Sequence, residues 1–378
     1  MKNIGIFTHP LISNYGGILQ NFALQQALIK LGHNPITINR LFLQNDFKVV
    51  LARIKQIILR HHTTKIFYKN QYEKVIEESQ NFIKKYIRVK SLYNPTDTDL
   101  IKVIEELDIA TIIVGSDQVW RPKYVNNIYH EFLSFLPLNS KIKRISYAAS
   151  FGTDVWEYNE IQQKRCKDYL KKFSVVSVRE LGGIELCKKY FDRNAELVLD
   201  PTLLLKKEDY VSICNLRLKS EFKNSVFTYV LDRSSDKLDV INKVSEMLNY
   251  KVFENQPKCA EADSWNLRYN LDSFKFPSIE GWLEGFYNAD FIVTDSFHGT
   301  VFAILFNKPF ITIVNESRGK ARFVSLLEMF DLSDRLVDNV KVFQQNSSIV
   351  NQSIDYVTVN EKVKELRALS LDFLKSNI

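Results

Sequence analysis

The chain has 378 residues, 45% of them hydrophobic and 25% charged, and 51 Lys and Arg against 44 Asp and Glu leave a net charge of +7. That length exceeds what one hydrophobic core usually supports, and the ordinary residue balance excludes a disordered or fibrous chain, so two folded domains are expected. No apolar run reaches the ~20 residues needed to span a bilayer, and the first residues lack a signal peptide's apolar core, which makes a cytoplasmic location the expectation.

Ile4-Gly-Ile-Phe7 reads as a first strand, Gly16 to Leu31 as a first helix ended by Gly32, and Pro35 to Asn39 as a second strand. Residues 41–90 hold 11 Lys and Arg against 4 Asp and Glu, so this window accounts for the whole net charge. Within it Val50, Leu51, Ile54, Ile57 and Ile58 recur at helical spacing beside Arg53, Lys55 and Arg60. Such a basic amphipathic pattern suits peripheral contact with the inner face of the plasma membrane; it equally suits a solvated helix face over a core. No nucleic-acid reading motif accompanies the charge, and nucleic acid is not an expected partner.

Ala110 to Val114 is a buried strand ending at Gly115-Ser-Asp117. Arg144 to Ala148 is another, ending at Ala149 to Gly152, and Ser174 to Val178 delivers Arg179 and Glu180 to its carboxyl end. Leu197 to Asp200 and then Pro201 mark a crossing point between domains. Strands at Ser225 to Leu231, Lys251 to Phe253, Phe291 to Thr294 and Pro309 to Ile313 follow. They alternate with helices at 237–248, 279–288 and 321–330, and a last helix covers Asn360 to Lys375. Alternation of this kind predicts an α/β protein with parallel sheets. The expected division is 1–200, 201–355, and a C-terminal helical segment 356–378 packing back. Cys166, Cys187, Cys214 and Cys259 are far apart, without metal-ligand spacing, and read as scattered buried thiols.

Four loops converge if both sheets present their carboxyl ends to a common cleft. Ser296-Phe-His-Gly299, after Asp295, places an imidazole at a strand's carboxyl end and at a helix N-terminus, where unpaired N–H groups attract anions. The loop Asn315 to Arg322 adds Arg318, Lys320 and Arg322, three cations in five residues. Asn14-Tyr-Gly-Gly17, followed by Gln20, permits close backbone approach to a ligand, though paired glycines are also plain turn chemistry. Asp117, Gln118 and Trp120 combine a carboxylate, an amide and an aromatic ring, the groups a sugar needs; Asp117 could instead cap a helix. Arg179 can grip a phosphate or carboxylate, or form a salt bridge. His9, after the first strand, is the other histidine to watch.

Taken together, Asn14 to Leu24, Val114 to Trp120, Ser146 to Gly152, Ser177 to Glu180, Leu199 to Thr202 and Thr294 to Ala303 resemble the polysaccharide pyruvyl transferase family, in order and over most of the chain. The resemblance implies two Rossmann-like domains facing a central cleft, similar to GT-B glycosyltransferases, with the first as acceptor side and the second as donor side. It implies pyruvyl transfer from phosphoenolpyruvate to two hydroxyls of one sugar, giving a cyclic ketal in cell-surface polysaccharide (exopolysaccharide or capsule) biosynthesis. The acceptor would be lipid-linked or nucleotide-linked. His298 and Arg179 match family donor-site residues. Some members carry an arginine where Ser296 stands, and Arg318, Lys320 or Arg322 would replace it, the two arginines ranking first because a guanidinium fork matches phosphate oxygens. His298 is the expected general acid, with Asp117 or Asp295 as base. Arg179, Ser296, Gly299, Arg318, Lys320 and Arg322 are expected around the donor, and Asn14, Tyr15, Gly16, Gly17, Gln20, Gln118 and Trp120 around the acceptor. No metal and no cofactor beyond phosphoenolpyruvate as co-substrate are expected. The alternative is a GT-B-type glycosyltransferase using a nucleotide sugar.

Overall fold

The computed structural model describes residues 1–42, 69–137, 139–258, 271–315 and 318–378. Strands β1 (Asn3–Phe7), β2 (Asn34–Leu41), β3 (Val89–Tyr93), β4 (Thr111–Val114) and β5 (Lys143–Ser146) form a parallel sheet in the order β3-β2-β1-β4-β5. In the register of this sheet Ile4 lies between Pro35 and Thr111. Strands covered by helices on both faces must be apolar on both, and the central β1 and β4 are, whereas the edge strand β3 exposes Lys90, Ser91 and Tyr93. Ile4, Ile6 and Ile113 share a core with Leu24 and Leu28, while Phe7, Ile112 and Val114 share another with Leu100 and Trp120. A short parallel pair, β6 (Ser177–Val178) and β7 (Glu196–Leu197), joins the edge of this sheet through the bridges Ile145–Val175 and Ala149–Val178.

The second sheet contains β8 (Ser225–Tyr229), β9 (Lys251–Glu254), β10 (Phe291–Thr294), β11 (Phe310–Ile313) and β12 (Leu336–Val337), all parallel, in the order β12-β11-β10-β8-β9. The molecule is therefore α/β with two Rossmann-like halves. Strand order reverses between β1 and β4 in the first sheet and between β8 and β10 in the second. At such points successive connections leave toward opposite faces and the loops part, opening a crevice at the carboxyl ends.

The halves share one hydrophobic core. The helix Tyr15–Lys30 contributes Tyr15, Ile18 and Phe22 to a cluster that also holds Phe227, Trp282 and Phe302 of the second half. Tyr15 stacks on Tyr229 with centroids 6.2 Å apart, meets Trp282 edge-on at 5.7 Å, and donates its hydroxyl proton to the Pro277 carbonyl. Helix Lys69–Tyr86 turns Val75, Phe82 and Ile83 inward, and Phe82 meets Phe22 edge-on at 5.7 Å. Its Lys84 and Lys85 stay on the solvent side. The expected basic helix around Val50 to Arg60 lies outside the described residues.

The last helix, Tyr356–Asn377, begins four residues before the expected start because Asp355 caps it, accepting from the N–H groups of Val357 and Thr358. It returns to the first half. Phe373 and Leu374 join the core of Ile4 and Leu24, and Ser370 Oγ accepts from the Leu199 N–H at 2.9 Å. Among the described residues no helix is long and apolar enough to cross a membrane. Cys166, Cys187 and Cys214 are buried and unpaired; Cys259 lies outside the described residues.

Candidate active site

A cavity of about 280 Å³ opens between the halves, lined among others by Asn14, Asp117, Gln118, Ser296, His298 and Arg322. His298 is the second residue of the helix Phe297–Leu305, which starts where Ser296 Oγ accepts from the Gly299 N–H at 3.3 Å. The apolar run Val301 to Leu305 then sinks the helix into the core and holds its first turn at the cleft. The histidine is only 6% exposed. Its ring lies against the first half's Gly16, where a Cβ would stand 2.0 Å from Nδ1. Its Nε2 is 3.6 Å from Asp200 Oδ2, too long for a hydrogen bond but within reach of strong charge interaction. Gly16→Ala is expected to displace the imidazole and lower turnover by about 10²-fold, the usual effect of misplacing a reacting group by ~1 Å. Steady-state kinetics beside a thermal melt would check it, with Tm falling little.

Arg179 is the hub beneath the cavity. Its Nη1 bonds Asp200 Oδ2 at 2.7 Å, its Nη2 bonds Asp117 Oδ1 at 3.0 Å, and its Nε lies 3.7 Å from Glu180 Oε2. The guanidinium also sits 4.4 Å from the centroid of Phe297. Burial alone would push the three carboxyls up. For Asp117 the opposing charges of Arg179, His298, His9 and Arg322 win, and its carboxyl is held well below the usual range. For Asp200, likewise against burial, His298 and Arg179 together with Thr202 do the same. Glu180 goes the other way: burial outweighs Arg179 and raises it, while its Oε1 accepts from the N–H of Phe151 at 2.9 Å.

Arg322 differs from Arg179 in kind. It is 4% exposed and lines the cavity, and among the described residues no carboxylate lies within ion-pair distance of it. Its Nη2 donates to the Arg318 carbonyl and its Nε has no partner. Its guanidinium lies 5.4 Å from the Phe297 centroid, sharing that ring with Arg179. Burial first, and then the like charge of Arg179, pull it down to about 10. Gly319, just before its helix Lys320–Met329, has φ +95°, and a Cβ there would meet the Gly152 carbonyl oxygen of the first half at 1.7 Å. Only glycine permits that contact between the halves.

The remaining expected residues separate clearly. Asn14 caps the helix Tyr15–Lys30, accepting from the Gly17 N–H at 3.2 Å, and its amide reaches Asp117 Oδ2 at 3.4 Å. Gln118 lines the cavity and accepts from Arg121 Nη1 at 3.1 Å. Gly299 packs on Thr294. Arg318 lines the cavity but is engaged by Asp232 through two bonds of 3.0 and 2.9 Å, and Asp232 is held down to about 2, chiefly by those bonds. Lys320 pairs with Asp338 at 2.6 Å, away from the cavity. Gln20 is buried between Thr8, Gly17 and Ser116 and knits loops together. Tyr15 belongs to the core between the halves. Trp120 is not a sugar platform: fully buried, it stacks on Phe132 at 5.1 Å and donates to the Glu131 carbonyl. Asp295 has four donors on its carboxylate: Lys237, Asn315 and the N–H groups of Leu231 and Asp232. Arg179, finally, is spent on carboxylates and does not line the cavity. Asp200 carried no assigned role in the sequence, although Leu199-Asp-Pro-Thr202 was among the family-like blocks; a carboxylate at a strand end before Pro was the available signal.

The model of one protein family, polysaccharide pyruvyl transferase, matches residues 14–317. The chain belongs to the polysaccharide pyruvyl transferase family. That family consists of transferases acting on polysaccharide, and the matched stretch contains every residue of the cavity except Ser13, Arg318, Arg322 and Phe323. No curated protein matches the sequence. Among solved structures, Staphylococcus aureus MnaA with UDP superposes at TM-score 0.52 with 11% identity, covering 93% of this chain and 89% of that one. The UDP-GlcNAc 2-epimerase of Methanocaldococcus jannaschii superposes at TM-score 0.50 with 13% identity, covering 98% and 99%. The likeness is one of fold: this family member is GT-B-like, its cavity lying between the two Rossmann-like halves.

Proposed function

We propose that the protein transfers a pyruvyl group from phosphoenolpyruvate to two hydroxyls of a sugar, closing a cyclic ketal and releasing phosphate during assembly of a cell-surface polysaccharide. The observation that carries this reading is a buried, carboxylate-free guanidinium, Arg322, lining the same cavity as His298. A buried cation with no carboxylate in direct contact is costly, Asp117 and Glu180 acting on it only from a distance, and an anionic donor would supply the missing contact. The N–H groups opening the helix Phe297–Leu305 add attraction for phosphate or carboxylate.

The chemistry needs a proton on the donor's methylene carbon so that a hydroxyl can attack the adjacent carbon. An imidazole is the side chain that can both give and take a proton near neutral pH. In this reading His298 protonates the methylene and the first sugar hydroxyl attacks, its proton passing back to the imidazole. The second hydroxyl then displaces phosphate, which leaves with the remaining proton. Neither carboxylate considered as base is well suited. Arg179 holds Asp117 so far below the usual carboxyl range that it has little affinity for a proton, and Asp295 has its oxygens filled by four donors. Asp200 and Asp117 act instead as positioning residues, fixing Arg179 and the imidazole ring. The nucleotide-sugar alternative is less favoured, because the Leu231 and Asp232 N–H groups that follow β8 are occupied by Asp295 and are not free for a diphosphate.

Mass spectrometry of lipid-linked and nucleotide-linked sugars after incubation with phosphoenolpyruvate tests the reaction: a ketal mass gain with phosphate release is expected. Transfer from a nucleotide sugar with no such gain would overturn it. Arg322→Met separates donor binding from folding. The variant is expected to fold with stability close to the parent's, since the burial of the charge and the repulsion of Arg179 are relieved while the weaker attraction to Asp117 and Glu180 is lost. It is also expected to lose the rise in Tm that phosphoenolpyruvate gives the parent, measured by scanning fluorimetry.

A further inference from the structure

Glu180 stands just before the helix Leu181–Phe191 of the first half, and the transfer chemistry gives it no part. It is 2% exposed. Its side chain does not cap that helix. Oε1 instead accepts from the Phe151 N–H at 2.9 Å, and it shares the Gly152 N–H, 3.4 Å away, with Ser150 Oγ at 3.0 Å. Oε2 lies 3.7 Å from Arg179 Nε, and neither atom has a hydrogen-bond partner among the described residues. Arg179 already holds two other carboxylates through its Nη atoms. A buried acid that neither caps a helix nor closes a short ion pair calls for another role.

What Glu180 holds is a loop against which the second half rests. A Cβ on Gly152 would stand 2.0 Å from Gln118 Oε1, so this loop backs the Gln118 side chain in the cavity wall. The Gly152 carbonyl meets Gly319, the residue from which the helix Lys320–Met329 starts. Leu181, next to Glu180, makes a second tie to the same helix: its N–H donates to Ser325 Oγ at 3.1 Å. Arg322 lies between the two ties, three residues after Gly319 and three before Ser325.

Arg322 depends on such a seat, because its one printed bond, from Nη2 to the Arg318 carbonyl, stays within its own segment and its Nε has no partner. A long side chain is aimed only as well as the backbone beneath it is held. We propose that Glu180 is a positioning residue: by fixing the loop at Phe151 and Gly152 it sets the surface on which the Arg322 helix is seated, and so aims that guanidinium into the cavity. Its part is one of reach rather than charge. Oε1 alone makes the loop contacts, and burial raises the Glu180 carboxyl. This inference rests on the reading of Arg322 as the donor's cation.

Two substitutions separate reach from charge. Glu180→Gln keeps an oxygen at the same distance and removes the charge, whereas Glu180→Asp keeps the charge and withdraws the oxygens by one methylene. Hydrogen–deuterium exchange of the amides of 318–326 reads the seat, with 297–305 as the internal control, and calorimetric titration with phosphoenolpyruvate reads the donor site. Glu180→Asp is expected to speed exchange in 318–326 at least ~10-fold, to leave 297–305 unchanged, and to weaken phosphoenolpyruvate binding at least ~10-fold. Glu180→Gln is expected to stay within about threefold of the parent in both readouts. Parent-like exchange or parent-like affinity in Glu180→Asp overturns the assignment, as does a Glu180→Gln variant as impaired as Glu180→Asp. Uniform acceleration over both segments, the mark of a merely structural role, overturns it too. A parent that binds no phosphoenolpyruvate would defeat the functional reading, while the exchange contrast still decides the seat.

Discussion

His298→Ala lowers phosphate release from phosphoenolpyruvate by about 10²–10⁴-fold, the usual contribution of a positioned acid or base. The loss is expected to fall on kcat, with KM for phosphoenolpyruvate changing little, because the proposal assigns the anion to Arg322 and the helix N-terminus rather than to the imidazole. Coupled phosphate detection at saturating donor, with near-UV circular dichroism as a control for folding, measures this. Parent-like turnover in a folded variant would remove His298 from the chemistry. The same assay on Gly16→Ala should show a smaller deficit of the same kind, since that variant retains the ring and moves it.

The second large effect concerns stability. Arg179→Met strands Asp117, Asp200 and Glu180 in the interior without their shared cation. Breaking a buried pair by removing one partner costs ~3–5 kcal/mol, and here one side chain serves several partners. Urea unfolding at pH 7 should show a loss of that size. The pH dependence has a definite sign. In the parent, Asp117 and Asp200 are depressed, so their stabilisation is present above the unfolded carboxyl range and is lost only as pH falls through their much lower folded values. In the variant both rise relative to the parent, with His298 still opposing burial at each, so the variant's folded state takes up protons at a higher pH than the parent's does. The deficit between parent and variant should therefore shrink toward acid. A deficit independent of pH would mean that packing, not charge, accounts for the loss.

The contrast between what was and was not legible follows from the range of the forces involved. Runs such as Ala110 to Val114 and Phe291 to Thr294 announce themselves because a strand covered on both faces must be apolar at every position. The turns that follow them name the cleft, since strand order and hand place the carboxyl ends there. Partnership over distance is not written locally. Arg318 and Arg322 are equivalent as sequence, four residues apart; Asp232, 86 residues upstream, engages the first, while among the described residues no carboxylate contacts the second. Arg179 reads as an anion grip because the two acids that hydrogen-bond it lie 21 and 62 residues away. Trp120 resembled a platform because nothing local says on which side of a turn the indole falls. Contact of His298 with Gly16 depends on the two halves meeting and could not be read from either segment.

One architectural trait constrains how substrates reach this pocket. Tyr15, Ile18 and Phe22 are sealed against Phe227, Trp282 and Phe302, so swinging the halves apart like a clamshell would wet a broad oily seam. Traffic in and out must therefore proceed along the rim, by local yielding of loops such as the one where Gly152 meets Gly319, while the jaws themselves keep their spacing.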